Sequence, residues 1–347
     1  MRLVRLFVKQ KTDKLSVTFY HRKPYDSYFS IERLFADIRR NMPAHIISRV
    51  AVSPFTSRGF WKRLANVLIA PLYQSEVNHI TGDVNYIALL LDKKRTVLTI
   101  HDCVVLERLT GIKKSLFFFI WYWLPEKKSS IITVISQSAK SDLLRYIQCE
   151  PDKIRVIHNC IPSEFKPCHK LLNTAKPVLL QVGTRYNKNL LRVAEALQGI
   201  PCHLRIIGML DNQQLSALSE CHVEFSSVAD ISDEEIVNEY RQCDMLVFVS
   251  TYEGFGMPIL EANAVGRPVI TGNISSMPEV AGNAACLVDP FDVKSIRSGI
   301  VRILNDERYR TELVENGYKN VKRFESQNVA KQYSLIYDEI YQRNHAS

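Results

Sequence analysis

The stretch MLVFVSTYEGFGMPILEANAVGRPVITG, residues 245–272, holds the pattern that decides the fold. Its ends, MLVFVS (245–250) and PVITG (268–272), are mostly continuous apolar runs, which are typical of strands covered on both faces. Between them lie a glycine-flanked turn and a helical segment with Pro258 in its first turn, where proline is favourable. A strand, a helix and a strand in this order predict a parallel sheet covered by helices.

The same alternation continues through both halves of the chain. We predict strands at 3–8, 45–52, 95–100, 131–136, 154–157, 178–182, 204–207, 223–227, 245–250 and 268–272. We predict helices at 30–42, 60–69, 113–128, 136–147, 189–197, 232–243 and 327–342. The sequence therefore predicts an α/β protein with two Rossmann-like, doubly wound domains facing a cleft, where ligands bind beyond the carboxyl ends of the strands.

A break in this pattern separates the two predicted domains. The segment 161–177 has three prolines and little periodicity, so we interpret it as a linker. We place one domain in residues 1–165 and the other in residues 166–326. The remaining part, 327–347, begins with an amphipathic helix whose apolar stripe must be covered, and we expect it to pack back on the first domain.

The charge of the chain is concentrated in its first half. Residues 1–165 contain 26 Lys and Arg against 14 Asp and Glu, whereas residues 166–347 contain 19 against 22. This asymmetry predicts an anionic partner for the first half, either nucleic acid or an anionic membrane, unless it is only a solvated basic face. The eight cysteines form no Cys-x-x-Cys pair or metal-like spacing, which predicts reduced thiols in a reducing compartment.

The segment KKSLFFFIWYWLPEKK, residues 113–128, has nine consecutive apolar residues between lysine pairs. A helix that crosses a bilayer needs about 20 apolar residues, so we predict that this segment does not span a membrane. Two interpretations remain open. The helix belongs to the core, or it docks the domain on an anionic bilayer together with the basic amphipathic stretch RGFWKRLANVLIAPLY, residues 58–73.

The turn inside the opening stretch carries the candidate chemistry. Gly254 and Gly256 allow backbone conformations that expose N–H groups at the start of a helix, where anions and polar oxygens are favoured. Glu253 precedes the turn and Glu261 follows within the helix. Two carboxylates at such a junction suit recognition of sugar hydroxyls, because a carboxylate accepts hydrogen bonds from two neighbouring hydroxyls. The alternative is a structural turn with Glu261 on an exposed helix face.

Several motifs together resemble one known family. EGFGMPILEA (253–262) resembles the Glu-x7-Glu signature of retaining GT-B glycosyltransferases of the family 4 type, and VGTRYNKNL (182–190) resembles their phosphate-contact loop. TIHD (99–102) and RVIHNCIP (155–162) are similar to elements of the N-terminal domain and the linker. The likeness covers roughly residues 75–340 and extends to bacterial mannosyltransferases of surface-polysaccharide assembly. It implies a GT-B fold, with an acceptor-binding N-terminal domain and a nucleotide-sugar-binding C-terminal domain.

The resemblance implies roles for the two glutamates and the turn between them. Glu261 would bind the ribose hydroxyls of a nucleotide-sugar. Glu253 would contact hydroxyls of the transferred sugar. The turn and the helix start would contribute further donor contacts, mainly through backbone groups, at Gly254, Phe255, Gly256 and Met257.

The phosphate-contact loop is implied to bind the donor diphosphate. Arg185 and Lys188 would neutralise the charge that develops on the leaving phosphate, and Gly183 would lie beside them. Lys188 is the better match of the two, because the loop is shorter than the common form in the family and the alignment of Arg185 depends on its length. A solvated basic loop is the alternative for both cations. Because the chain contains no Asp-x-Asp metal motif, we expect no metal site and no obligatory divalent cofactor.

Four residues of the first half are expected at the cleft. His101 follows a strand at the cleft edge, and the resemblance implies that it positions the transferred sugar in a catalytic role, with a purely structural histidine as the alternative. Gly82 and Asp83 would form part of the acceptor site, because the N-terminal region lacks the glycine-rich loop that the family often has there. Asp102 is a further candidate, with capping of its own loop as the alternative.

These features lead to one expected function. We expect a retaining transferase that moves a hexose from a nucleotide-sugar, GDP-mannose first, to a polyprenyl-diphosphate-linked or other membrane-borne glycan. A UDP-hexose or UDP-N-acetylhexosamine donor is the main alternative. A basic nucleic-acid-binding protein is an alternative of another class, but no known nucleic-acid motif supports it, so we expect no nucleic-acid partner. The expected location is cytoplasmic, peripheral on the inner face of the cytoplasmic membrane.

Overall fold

Two parallel six-stranded sheets form the protein. The structure, a computed structural model, describes residues 14–24 and 30–345. The first sheet contains β1 (Leu15–His21), β2 (Ile46–Val52), β3 (Val77–Ile80), β4 (Thr96–Ile100), β5 (Ile131–Val134) and β6 (Ile154–Val156). The second contains β7 (Val178–Val182), β8 (His203–Ile207), β9 (Glu224–Val228), β10 (Met245–Phe248), β11 (Val269–Gly272) and β12 (Cys286–Val288). All neighbouring strands in both sheets run parallel.

The strand orders place a switch point in each sheet. The first sheet has the order β2-β1-β3-β4-β5-β6, and the second has the order β12-β11-β10-β7-β8-β9. The order therefore reverses between β1 and β3 in the first sheet and between β7 and β10 in the second. Loops that follow two such strands diverge to opposite faces and leave a crevice at the carboxyl ends of the strands, which is where ligands bind in open α/β sheets. The expected GT-B architecture is confirmed.

Fourteen α-helices of the described residues cover these sheets. They are α1 (Ser30–Arg40), α2 (Phe60–Ile69), α3 (Val104–Arg108), α4 (Gly111–Phe118), α5 (Leu124–Lys127), α6 (Gln137–Tyr146), α7 (Leu190–Leu197), α8 (Asn212–Glu220), α9 (Asp233–Gln242), α10 (Met257–Val265), α11 (Met277–Ala281), α12 (Val293–Asn305), α13 (Glu307–Val321) and α14 (Ser326–His345). A π-helical segment, Phe119–Trp123, joins α4 to α5. No helix in the described part of the chain is long and apolar enough to span a membrane.

Most predicted elements are present within three residues of their predicted ends. The predicted strand 3–8 lies outside the described residues. The first described strand is β1, which the sequence analysis missed together with β3 and β12. The segment 161–177 has no helix or strand, in agreement with a linker. All eight cysteines are unpaired.

The last helix, α14, packs against the first sheet although it follows the second in sequence. The Tyr337 hydroxyl lies 2.7 Å from Nδ1 of His79 on β3, and Nε2 of the same ring lies 2.7 Å from the Thr99 hydroxyl on β4. Burial lowers the pKa of His79 well below its ordinary value, so the ring is neutral and pairs with these two hydroxyls. Helix α14 therefore completes the core of the first sheet.

Replacing Tyr337 with phenylalanine should destabilise the protein by about 1–3 kcal/mol, because it leaves a buried nitrogen of His79 without a partner. Chemical denaturation followed by circular dichroism measures this change. The control is Leu335→Ala, an exposed position on the same helix that should change stability by less than about 0.5 kcal/mol. An unchanged denaturation midpoint for Tyr337→Phe would contradict this packing.

Hydrogen bonds join the two domains along the cleft. The Ser136 hydroxyl, at the N-cap of α6, donates to the Gly254 carbonyl oxygen at 2.8 Å. The Glu279 carboxylate of α11 accepts from the backbone N–H of Gln137 at 2.8 Å, which places a negative charge at the start of α6. These contacts hold the carboxyl ends of the two sheets close together.

Candidate active site

A cavity of about 560 Å³ lies between the domains at the carboxyl ends of both sheets. Such a volume suits a small-molecule ligand. Eight residues predicted from the sequence line it: His101, Asp102, Glu253, Gly254, Phe255, Gly256, Met257 and Glu261. The structure thus brings the predicted donor turn and the histidine of the first domain together.

The loop after β10 is fixed by polar contacts. The hydroxyls of Ser275 and Ser276 both donate to the Glu253 carbonyl oxygen, at 2.6 and 2.8 Å. The backbone N–H of Thr251 donates to the carbonyl oxygen of Asn187, at 2.8 Å, in the loop after β7. Because β7 and β10 flank the switch point, this contact holds the predicted phosphate loop against the predicted sugar-contact turn.

Lys188 and Glu253 meet at this switch point. The Lys188 ammonium lies 2.6 Å from Oε1 of Glu253 and 4.6 Å from the centre of the Phe248 ring. Gly183 allows this arrangement, because a Cβ atom there would lie 3.0 Å from Cε of Lys188. The lysine stem therefore lies against the Gly183 backbone, and its charge is directed to the turn that begins α10.

Arg185 takes a different position from Lys188. Its side chain is exposed. Neither Arg185 nor Lys188 is among the residues that line the cavity, but Lys188 contacts Glu253, which is. Next to it, the exposed ring of Tyr186 lies 5.5 Å below the guanidinium of Arg108, which belongs to α3 of the first domain. Of the two cations predicted in the phosphate-contact loop, Lys188 is thus the one that contacts the predicted donor site, and the Arg108–Tyr186 contact joins the two domains.

Glu261 lies in α10 and points to a buried tyrosine. The Tyr240 hydroxyl donates to Oε2 of Glu261 at 2.5 Å, and Tyr240 itself is fully buried. Although Glu261 as a residue is only partly buried, protein atoms surround its carboxyl group, and this desolvation raises its pKa to about 7. The hydrogen bond from Tyr240 and the charge of Lys188 act in the opposite direction. The alternative of an exposed, purely structural Glu261 is therefore disfavoured.

His101 is held by the loop after β3. Its Nε2 lies 2.7 Å from the Thr81 carbonyl oxygen, which can only accept, so Nε2 carries the hydrogen. In the tautomer that carries its hydrogen on Nε2, Nδ1 can accept a hydrogen bond. Gly82 makes room for the ring, because a Cβ atom there would lie 2.6 Å from Cδ2 of His101. The sequence TG at 81–82 therefore fixes both the tautomer and the position of the histidine.

A smaller pocket continues from His101 into the first domain. Its volume is about 70 Å³, and Gly82, Asp83 and Asp102 line it. Aromatic side chains of the 111–127 helix, which consists of α4, the π-helical segment and α5, complete the lining. Asp83 pairs with Arg22, and Oδ1 of Asp102 accepts from the Val104 N–H at 3.0 Å. Asp102 thus caps its own loop, as the alternative interpretation expected, and also faces the cleft.

Sequence reasoning missed several residues of the site. Tyr240 appeared only as part of a predicted helix. Arg33 of α1 also lines the cavity, where it pairs with Glu164 at 2.6 Å and with Asp233 of the second domain. No local motif marks either residue, because each reaches the site through tertiary packing. Among the described residues there is no group of three or more His, Cys, Asp and Glu side chains that could hold a metal.

The arrangement suits a substrate with vicinal hydroxyls and an anionic group. Glu261 offers a carboxylate to hydroxyls, and Lys188 offers a fixed cation near the start of α10, whose backbone N–H groups and dipole favour negative charge. His101 and Glu253 lie on opposite sides of the cleft and both reach its lining. Binding and orientation of a polar, partly anionic molecule is the chemistry that this geometry supports.

Comparison with solved structures assigns the architecture to a class. The chain resembles HepE of Anabaena, solved in complex with UDP-glucose, with a TM-score of 0.74 and 14% identity over 94% of this chain and 100% of that one. It also resembles WaaG, a glycosyltransferase of lipopolysaccharide biosynthesis, with a TM-score of 0.66 and 15% identity over 92% of this chain and 99% of that one. The protein thus has the fold of the GT-B glycosyltransferases.

Sequence comparison then gives the family. The model described as Glycosyltransferase Family 4 matches residues 17–165, and the model described as Glycosyl transferases group 1 matches residues 163–320. The two models together match residues 17–320, so the chain belongs to the family of GT4-type GT-B glycosyltransferases.

Two relatives from Escherichia coli are mannosyltransferases. The chain is 26% identical over 267 residues to the serotype-specific mannosyltransferase WbdA, a match that covers 68% of this chain and 32% of the relative. It is 26% identical over 268 residues to the O-antigen chain mannosyltransferase B, a match that covers 69% of each. The matched region is therefore about a third of the length of WbdA.

Proposed function

We propose that the protein is a retaining hexosyltransferase that transfers mannose from GDP-mannose to a lipid-linked glycan during surface-polysaccharide assembly. The observation that carries this proposal is the meeting of Lys188, Glu253 and Glu261 around the start of α10, opposite His101 of the first domain. The two mannosyltransferase relatives support the choice of donor sugar.

Each part of the nucleotide-sugar has a partner at the site. Glu261 accepts hydrogen bonds from the ribose hydroxyls, and Lys188 leaves its present partner to bind the diphosphate. Glu253, released from Lys188, accepts hydrogen bonds from hydroxyls of the hexose. Nδ1 of His101, with the ring hydrogen on Nε2, accepts a hydrogen bond from one more hydroxyl on the opposite side, so that the anomeric carbon is held between the domains.

The reaction that fits this arrangement proceeds on one face of the sugar. The bond between the anomeric carbon and the phosphate oxygen breaks, and its electron pair remains on the diphosphate, where the Lys188 ammonium stabilises the added charge. The acceptor hydroxyl oxygen attacks the anomeric carbon from the same face, and its proton passes to the leaving phosphate oxygen. This course retains the configuration and needs no covalent enzyme intermediate. We propose that no obligatory metal takes part, since Lys188 supplies the neutralising charge.

The acceptor side is the smaller pocket next to His101. Gly82, Asp83 and Asp102 line its polar part, so that a sugar hydroxyl can reach the anomeric carbon from the first domain. The relatives named for O-antigen and serotype support a glycan acceptor. We propose a polyprenyl-diphosphate carrier for this glycan and a working position on the cytoplasmic face of the inner membrane.

A second donor class is supported by a specific comparison. HepE, the structural neighbour, was solved with UDP-glucose, and its chain covers nearly the whole of this one. A UDP-hexose or a UDP-N-acetylhexosamine is therefore the alternative donor.

Nucleotide release with a panel of donors tests the proposal. Purified protein is supplied with a lipid-linked acceptor extract and with GDP-mannose, UDP-glucose, UDP-galactose or UDP-N-acetylglucosamine. We expect acceptor-dependent release of GDP from GDP-mannose that exceeds the release from every UDP-sugar. Preferential release of UDP would establish the alternative donor, and the absence of both binding and turnover for all donors would refute the transferase proposal.

A further inference from the structure

The helix formed by residues 111–127 exposes an apolar stripe to solvent. Ile112, Leu116, Phe119 and Trp123 are all exposed, and Ile112 is 87% exposed. Their spacing of four, three and four residues places them on one side of a helix. The sequence analysis left open whether this helix belongs to the core or docks on a membrane. The core interpretation applies to one side of the helix only, because the exposed stripe lies on a different side from the residues that the helix buries.

The other side of the same helix belongs to the core. The ring of Trp121 stacks on Phe117 at 5.0 Å, and the guanidinium of Arg63 lies 4.8 Å from its centre. Tyr122 is buried, and the side-chain amide of Asn85 donates to the Trp121 carbonyl oxygen at 2.9 Å. The π-helical segment is thus fixed from inside, which leaves the outer stripe as a rigid feature of the surface.

Helix α2, a neighbour of this helix, carries a second set of exposed apolar residues. Arg63 of α2 contacts Trp121, so the two helices are neighbours. On α2 and the turn after it, Trp61 is 77% exposed and Leu72 is 80% exposed. We define the docking face by the exposed apolar residues of both helices and that turn: Phe60, Trp61, Leu64, Leu68, Leu72, Tyr73, Ile112, Leu116, Phe119 and Trp123.

The charges beside the docking face are positive. Lys62 and Lys113 are exposed within the two helices, and Lys127 is exposed at the end of α5. The only acidic residue within 58–73 or 111–127 is Glu126, which is buried and paired with Lys153 at 2.7 Å. Exposed tryptophan and leucine side chains among lysines suit the interface of a bilayer with anionic lipids, where apolar burial and charge attraction act together.

The position of the docking face fits the acceptor. The inward side of the 111–127 helix contributes Phe117, Trp121 and Tyr122 to the small pocket beside His101. One helix thus has the acceptor pocket on its inner side and the docking face on its outer side. While its lipid remains in the bilayer, a glycan then has to extend only past the thickness of this one helix to reach the pocket.

We propose that the docking face rests on a bilayer that contains anionic lipids, and that it presents the acceptor pocket to a lipid-anchored glycan. The part of this proposal that concerns the acceptor rests on the proposed function. The part that concerns binding to the bilayer rests only on the apolar and charged residues at the docking face. The lysines supply the attraction, so binding weakens as salt rises.

Vesicle flotation tests binding directly. The full chain is mixed with vesicles of phosphatidylcholine alone or with phosphatidylglycerol. We expect binding to the anionic vesicles that falls with added salt. The triple variant Trp61→Ser, Leu72→Ser, Ile112→Ser should weaken it at least about tenfold, because each change removes exposed apolar area from the interface. Lys62→Glu with Lys113→Glu should weaken binding to anionic vesicles selectively.

A matched control separates the docking face from apolar exposure in general. Leu171, Leu287 and Leu335 are also exposed, and changing all three to Ser should leave vesicle binding unchanged. Wild-type binding that is absent or equal for both vesicle types would overturn the proposal, as would an unchanged triple variant. So would a wild-type dimer in gel filtration that the triple variant converts to a monomer, because a second copy of the chain would then cover this face.

Activity distinguishes this inference from the proposed function. With a water-soluble acceptor that lacks the lipid, the triple variant should retain wild-type nucleotide release within about twofold, which also shows that it is folded. With the lipid-linked acceptor in anionic vesicles, its activity should fall with its binding. Vesicle binding by a protein that neither binds nor turns over any donor would leave this inference standing while refuting the transferase proposal.

Discussion

Replacing Lys188 with alanine should lower kcat by about 10²–10³-fold, as expected when a preorganised group that stabilises transition-state charge is removed from an enclosed site. The ammonium lies 2.6 Å from Glu253 and 4.6 Å from the centre of the Phe248 ring, and the proposed move from Glu253 to the diphosphate takes place when the donor binds, so the charge is already in place when the bond breaks. Initial rates of nucleotide release at saturating donor measure the effect. The donor KM should change less than kcat, because the added charge appears only as the bond breaks.

The controls for this prediction come from the same domain. Lys176 is exposed and pairs with Glu224 at the edge of the second sheet, so Lys176→Ala should leave kcat unchanged. Lys188→Ala also leaves Glu253 without its partner, and the double variant Lys188→Ala, Glu253→Gln removes that unpaired charge. The double variant should remain as slow as the single one. Restored activity in the double variant, or wild-type kcat in Lys188→Ala, would mean that Lys188 does not stabilise the leaving group.

The sequence predicted most strands in which apolar residues run without interruption, with the three-residue β12 as an exception. It missed β1 and β3, whose buried positions include polar side chains. Thr18 donates to the Tyr73 carbonyl oxygen at 2.8 Å, and His79 pairs with Tyr337 across 258 positions of the chain. Such polar residues can be buried in a core only because elements that are distant in sequence form hydrogen bonds with them. A pattern read along the chain cannot contain those partners.

The sequence could predict the part of the site whose residues are close together in the chain. It could not predict the contacts that tertiary packing brings together. Glu253 and Glu261 lie on one strand–turn–helix unit, so their spacing alone placed them together. The sequence favoured Lys188 over Arg185 as the match to the phosphate-contact loop, and the structure directs Lys188 to Glu253. The partner of Glu261, Tyr240, comes from α9, the helix before β10, and the packing of α9 on α10 brings it within 2.5 Å.

Glu261→Gln should raise the dissociation constant for the nucleotide-sugar by about 10–100-fold, since hydrogen bonds from the ribose hydroxyls lose their charged acceptor. The pH dependence gives a sharper test. The Glu261 carboxyl has its pKa raised to about 7, so it is increasingly protonated as the pH falls below that value. Donor affinity of the wild type should therefore fall as the pH is lowered through about 7, whereas affinity of Glu261→Gln should stay flat across this range.

The variant Tyr240→Phe tests whether the group that titrates is Glu261 and not another residue of the cleft. The Tyr240 hydrogen bond stabilises the ionised carboxylate, and the charge of Lys188 acts in the same direction. Removing the hydroxyl should raise the pKa of Glu261 further, so the inflection in donor affinity should move to higher pH while affinity well above it recovers. Isothermal titration calorimetry from pH 5.5 to 9 follows all three proteins. An inflection that persists in Glu261→Gln, or one that does not move in Tyr240→Phe, would show that a different group controls donor binding.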